Sequence, residues 1–219
     1  MKGMVIMKKT KNGITELVFI IDRSGSMSGL ELDTIGGFNS MIEKQQSLEG
    51  KVYVSTVLFD DTSEVIYDRV DLKDIRKMTR EDYYVRGCTA LFDALGGAVK
   101  HISNIHKYAR EEDVPEHTMF VITTDGMENA SRKFSAGEVK KLIEKKQKKH
   151  GWEFIFIGAN IDAVTAAKEV GIAPERACNY NATGKGTRAI FAAMAAPLMQ
   201  MRQGESITND WVEDIEKNG

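Results

Sequence analysis

The 219-residue chain has a formal net charge of −2, with 28% charged and 42% hydrophobic residues. That balance excludes an intrinsically disordered chain and gives no general polyanion-binding character, so nucleic acid is not expected as a partner. The length suits one sizeable core and falls short of two full domains.

Two cysteines, Cys88 and Cys178, fit a reducing compartment better than a disulfide-stapled secreted module. No apolar stretch approaches the roughly 20 residues of a membrane span, so a soluble, cytoplasmic protein is expected. We divide the chain into an N-terminal extension over 1–13, a single domain over 14–203 and an acidic C-terminal tail over 204–219.

The nearly all-apolar run from Glu16 to Asp22 predicts a central strand buried on both sides. A helix is predicted from Leu30 to Gln46, with Leu32, Ile35, Phe38 and Ile42 on one face, although Gly36-Gly37 weakens it by about 1 kcal/mol per glycine. Val52 to Phe59 reads as a strand. Asp60-Asp61-Thr62-Ser63 supplies turn chemistry and Glu64 to Tyr67 returns, which makes a hairpin.

From Leu91 the apolar positions Leu91, Leu95, Ala98, Ile102 and Ile105 mark a helix. A strand follows from Thr118 to Thr124, then a helix from Ser135 to His150, a strand from Trp152 to Ala159 and a short helix from Asp162 to Val170. A last strand near Ala177 to Tyr180 precedes a helix from Thr187 to Met201 that Pro197 should kink or interrupt. Alternating strands and helices predict an α/β fold: a doubly wound, Rossmann-like, three-layer arrangement. Its sheet is mainly parallel, with one antiparallel strand and helices on both faces.

Asp22-Arg23-Ser24-Gly25-Ser26 delivers a carboxylate and two hydroxyls at the end of the first strand. Hard divalent cations such as Mg²⁺ take oxygen donors of this kind, and the same residues also cap helix starts. Two further segments add to the set. Arg86-Gly87-Cys88-Thr89-Ala90-Leu91 puts a Thr at the mouth of a helix, and Val121-Ile122-Thr123-Thr124-Asp125-Gly126 ends another strand with an Asp.

Taken together, in this order, these motifs resemble those of the von Willebrand factor type A domain family, over roughly residues 14 to 180. That family carries a metal-ion-dependent adhesion site. The resemblance implies Ser24, Ser26 and Thr89 as hydroxyl ligands, with Asp22 and Asp125 acting directly or through bound water. It implies Mg²⁺ as the cofactor, with Mn²⁺ or Ca²⁺ as alternatives. It also implies a protein partner that presents an Asp or Glu to the ion, and a binding module rather than an enzyme. Cys88 departs from the pattern, since members often carry a second Gly before the Thr, and it is expected as a small buried side chain.

Other candidates have plainer readings. Asp60 and Asp61 are expected to serve the hairpin turn rather than a metal. Glu128 and Asn129 could reach the crevice rim or simply be solvated. Lys140, Lys141, Lys145, Lys146, Lys148 and Lys149 are expected as the solvated face of a helix whose core stripe is Val139, Leu142 and Ile143. The acidic stretch from Glu205 to Glu216 places Trp211, Val212 and Ile215 on a small helix face that could dock on this chain or on a partner. The segment from Asn181 to Thr187 fails as a phosphate loop, because Asn179 stands where Gly is needed and Gly186 follows Lys185. His101, His106, His117 and His150 lack metal-ligand spacing.

Two other functions compete. An Mg²⁺-dependent phosphotransferase would use Asp22 as nucleophile, but such enzymes place a second Asp where Ser24 stands. An accessory subunit of a chelatase, stress-response or RNA-associated assembly would depend on other proteins.

Overall fold

The structure is a computed structural model that describes residues 13–218. Six strands form one sheet: β1 Ile14–Asp22, β2 Lys51–Phe59, β3 Ser63–Asp71, β4 His117–Thr124, β5 Glu153–Gly158 and β6 Ala177–Asn179. Their order is β3-β2-β1-β4-β5-β6. All neighbouring pairs are parallel except β2 and β3, the antiparallel hairpin that places β3 at the edge. The expected α/β fold is the one observed. The helices are α1 Glu31–Gln46, α2 Leu91–Tyr108, α3 Ala136–His150, α4 Ala163–Glu169, α5 Gly184–Ala193, α6 Ala195–Arg202 and α7 Asp210–Asn218. Among the described residues no helix is long and apolar enough to cross a membrane.

Because side chains alternate along a strand, β1 feeds two cores at once. Leu17, Phe19 and Ile21 face Phe38 of α1, Phe191 of α5, Leu198 of α6 and Trp211 of α7. Val18 and Ile20 face Leu95 of α2, Val139 of α3 and Ala167 of α4. Every residue of β1 is buried, and burying each large apolar side chain contributes roughly 1.5–3 kcal/mol.

Gly37, read from sequence as a weakness of α1, has a packing reason. A Cβ there would lie 2.5 Å from the Phe191 ring, so only glycine lets α1 and α5 close on each other. Pro197 interrupts its helix, as expected. The helix breaks at Met194, ahead of the proline, because a proline ring opposes the carbonyl four residues earlier, here that of Ala193. The helix before the break starts earlier than predicted, since the Thr183 hydroxyl caps it by accepting the Gly186 N–H.

The acidic C-terminal stretch docks on its own chain. Helix α7 packs against α5 and β6 with Trp211 and Ile215 buried, while Glu213, Asp214 and Glu216 face outward. On α3, Lys141, Lys145, Lys148 and Lys149 are exposed as expected, and Lys146 lays its ammonium over the Trp152 ring.

Trp211 is the largest side chain seated in this closure. W211A should therefore lower stability by about 3–5 kcal/mol, read from denaturant unfolding. A change under about 1 kcal/mol would mean that α7 does not close the core in solution.

Candidate metal centre

Strands β2 and β4 flank β1 in the sheet, and the crossover helices on the two sides lie on opposite faces of it. The chain therefore leaves a crevice beyond the carboxyl ends of β1 and β4. In register Ile21 lies beside Thr123, which brings Asp22 level with the end of β4. The Asp22 carboxylate is fully buried and held at both oxygens. Oδ1 accepts the Ser24 N–H at 2.7 Å, and Oδ2 accepts the Thr124 hydroxyl at 2.5 Å. The Tyr83 hydroxyl donates to the Asp22 backbone carbonyl at 2.6 Å.

Three hydroxyls converge beside it. Ser24 Oγ lies 3.0 Å from Ser26 Oγ and accepts the Thr89 hydroxyl at 3.0 Å. Gly126 closes the other side, since a Cβ there would stand 3.0 Å from Ser26 Oγ and 3.1 Å from Thr89 Oγ1. Asp125, one residue earlier, is buried, and neither carboxylate oxygen has a hydrogen-bond partner among the described residues. All five residues singled out in the sequence thus share one crevice.

The loop bearing Thr89 is fixed by side chains on either hand. The Thr89 N–H donates to Asn129 Oδ1 and its carbonyl accepts the Asn129 and Ala130 amides. Glu128 takes the Phe92 amide at the start of α2 together with the Ala130 and Ser131 amides. Glu128 and Asn129 are therefore structural ties of the loop.

Cys88 contradicts its expected burial and is exposed. Gly87 adopts a left-handed φ of 67°, and its Cβ position is occupied by Asp61 Oδ2, so the Cys88 amide turns to Asp61 while the residue stays at the surface. The Asp61 carboxylate beside the thiol, by accepting from it and by its negative charge, pushes the thiol's pKa up, against a reactive thiolate.

Asp60 also exceeds its turn role. Its Oδ1 takes the Thr62 amide as a turn residue would, but Oδ2 pairs with both Arg23 and Arg86. The pattern hid this: Asp60 follows the strand as any turn residue does, and Arg23 occupies the variable position between Asp22 and Ser24. Thr124, Tyr83 and Gly126 were missed for the same reason, since their contacts come from separate segments.

Burial pushes the Asp125 carboxyl above its ordinary value, with the nearby Ser26 hydroxyl and its own backbone amide drawing it back, neither reaching hydrogen-bond geometry. Burial also raises Asp22, opposed by the Thr124 and Ser24 bonds, while the like charge of Asp125 adds to the rise. Tyr180 is raised by burial and by the same two carboxylates. Among the described residues no three His, Cys, Asp or Glu side chains form a metal cage. The donors available are hydroxyls and two carboxylates, oxygen chemistry that suits Mg²⁺, Mn²⁺ or Ca²⁺ rather than a soft metal.

The two raised carboxyls give a pH signature. Between the ordinary value of 3.8 and the raised folded value, the folded protein keeps the Asp125 proton that the unfolded chain releases. Stability from this group is therefore full below that window and is lost as pH rises through it. In chelator, D125N should match the wild-type melting temperature near pH 4 and exceed it by a few degrees at neutral pH. A flat or inverted difference would show that Asp125 is not an uncompensated buried charge.

A family model for the von Willebrand factor type A domain matches residues 16–191. No match to a curated protein sequence reaches significance. Several solved structures share the fold. A von Willebrand factor type A protein from Catenulispora acidiphila aligns with a TM-score of 0.59 at 14% identity, over 84% of this chain and 42% of that one. The D319A mutant of the PilB minor pilin from Streptococcus sanguinis aligns at 0.58 and 14%, over 91% and 63%. The manganese-loaded TRAP protein of Plasmodium vivax aligns at 0.52 and 16%, over 78% and 70%. The chain thus spans under half the length of the first of these and about two thirds of the other two. With the matched model reaching from within β1 through β6 and into α5, this chain belongs to the von Willebrand factor type A domain family.

Proposed function

We propose that the chain is a divalent-metal-dependent protein-binding module whose crevice is a metal-ion-dependent adhesion site. The observation that carries this reading is the Asp125 carboxylate, buried without a partner beside the linked hydroxyls of Ser24, Ser26 and Thr89. An orphaned buried carboxylate costs free energy unless a cation or proton compensates it, and the surrounding donors are those a hard cation prefers. The family and the manganese-loaded state of the TRAP neighbour support a divalent ion, with Mg²⁺ the proposed occupant.

Ser24, Ser26 and Thr89 would hold the ion through neutral hydroxyls, with Asp22 and Asp125 direct or through water. That donor set leaves enough positive charge at an open position to take a carboxylate oxygen from a partner. The partner's Asp or Glu is thereby the proposed ligand. Catalysis through an aspartyl-phosphate finds no support here, because both Asp22 oxygens already accept hydrogen bonds and the side chain is fully buried.

Mg²⁺ or Mn²⁺ at millimolar concentration should raise the melting temperature of the wild type and leave D125A and T89A unmoved. Partners retained on the immobilised wild type in Mg²⁺ should be released by chelator and should lose binding when one acidic side chain is changed to Ala. A wild type with no metal-dependent shift, or partner retention indifferent to chelator, would sink the proposal.

A further inference from the structure

We infer that Asp60, clamped by Arg23 and Arg86, is the positioning residue that holds the Thr89 loop against the Asp22–Ser26 turn. Cation affinity then depends on a side chain that does not touch the cation. The second half of this inference rests on the metal-binding reading above; the first half does not.

The clamp joins the two segments that supply the hydroxyls. Arg23 stands between Asp22 and Ser24 and is wholly buried, and its Nε reaches Asp60 Oδ2 at 2.8 Å. Arg86 stands three residues before Thr89, and its Nε reaches the same oxygen at 2.7 Å. One buried oxygen therefore receives a charged donor from each side of the crevice. The Asp60 backbone carbonyl adds a third tie by accepting the Ala90 N–H at 2.9 Å.

Two backbone bonds run alongside: Arg86 N–H to the Arg23 carbonyl at 2.9 Å, and Gly25 N–H to the Gly87 carbonyl at 3.0 Å. Both guanidinium groups lie 5.2 Å from the centre of the Tyr84 ring, and Arg86 also donates to the Tyr84 hydroxyl. Arg23 takes Glu64 as a second carboxylate at 2.7 Å, so each charge in the cluster is matched. Charge-assisted bonds of this kind are short and directional.

The clamp is needed because the segment from Arg86 to Ala90 belongs to no helix or strand and includes the left-handed Gly87. Neutral hydroxyl donors bind a cation well only when already placed, within about 0.5 Å of their working positions. Just ahead of α2, the Thr89 backbone is held on its far side by Asn129 and Ala130. The Asp60 cluster supplies the near side.

Arg86 is the residue to test, because its side chain is 48% exposed and its loss leaves Asp60 still paired with Arg23. D60N would instead leave the buried Arg23 with only the half-exposed Glu64 as counter-charge and confound folding with positioning. In chelator, R86M should speed amide hydrogen exchange at Cys88, Thr89 and Ala90 about tenfold while leaving β1 and β4 at wild-type rates. In titrations with MgCl₂ alone, R86M should weaken binding about tenfold, and R86K, which keeps a charge for Asp60, should restore most of the loss.

Unchanged exchange at those three amides would overturn the clamp. Faster exchange with undiminished Mg²⁺ affinity would overturn the link to the cation. If the wild type itself binds no Mg²⁺, the metal reading fails, whereas the exchange measurement still decides the clamp.

Discussion

Strand β1 is buried along its whole length with helices packed on both of its faces, and the arrangement of the rest of the molecule follows from that constraint. A strand so enclosed can carry polar groups only where they are satisfied internally. Glu16, near its start, meets this condition through Arg69 and His106. Asp22, at its end, does so through Ser24 and Thr124. The crevice beyond Asp22 is thus the place where the central apolar run gives way to polar chemistry, flanked by the ends of the neighbouring strands.

The two carboxylates of that crevice are unequal. Asp22 has its hydrogen bonds supplied by the fold, so it can hold the turn that follows in one shape. Asp125 has none, although it is buried to the same degree. A fold under selection for stability alone has no use for such a group, since the desolvation cost is uncompensated. The satisfied carboxylate orders the donors and the unsatisfied one leaves a demand for positive charge. Gly126 allows the two sides to approach, because any side chain there would enter the space of the Ser26 and Thr89 hydroxyls.

How much could be read in advance differs from element to element. Helix α2 was legible because its apolar residues recur at three and four steps over 18 residues, and β1 because its run is apolar and bounded. The first-turn start of α5 was not, since a Thr cap in front of Gly-Lys-Gly resembles a loop until the helix is seen to leave it. The exposure of Cys88 followed from a glycine dihedral and a carboxylate 27 positions away, neither of which a local pattern carries. Gly37 looked like a fault in α1 and proved to be the seat of Phe191, because close helix contact is a property of two segments at once.

Sequence alone determined the alternation of strands and helices and the hairpin edge, because these depend on side-chain period and turn chemistry, and it was the resemblance to the family that singled out Asp22, Ser24, Ser26, Thr89 and Asp125. Tertiary structure alone decided that Asp60 is an ion-pair hub, that α7 closes the core through Trp211, and that Asp125 is left without a partner. The reason is physical. Periodicity records which face of a segment is buried, whereas hydrogen-bond satisfaction and ion pairing depend on which distant segments arrive beside it. That is settled only when the sheet order is complete.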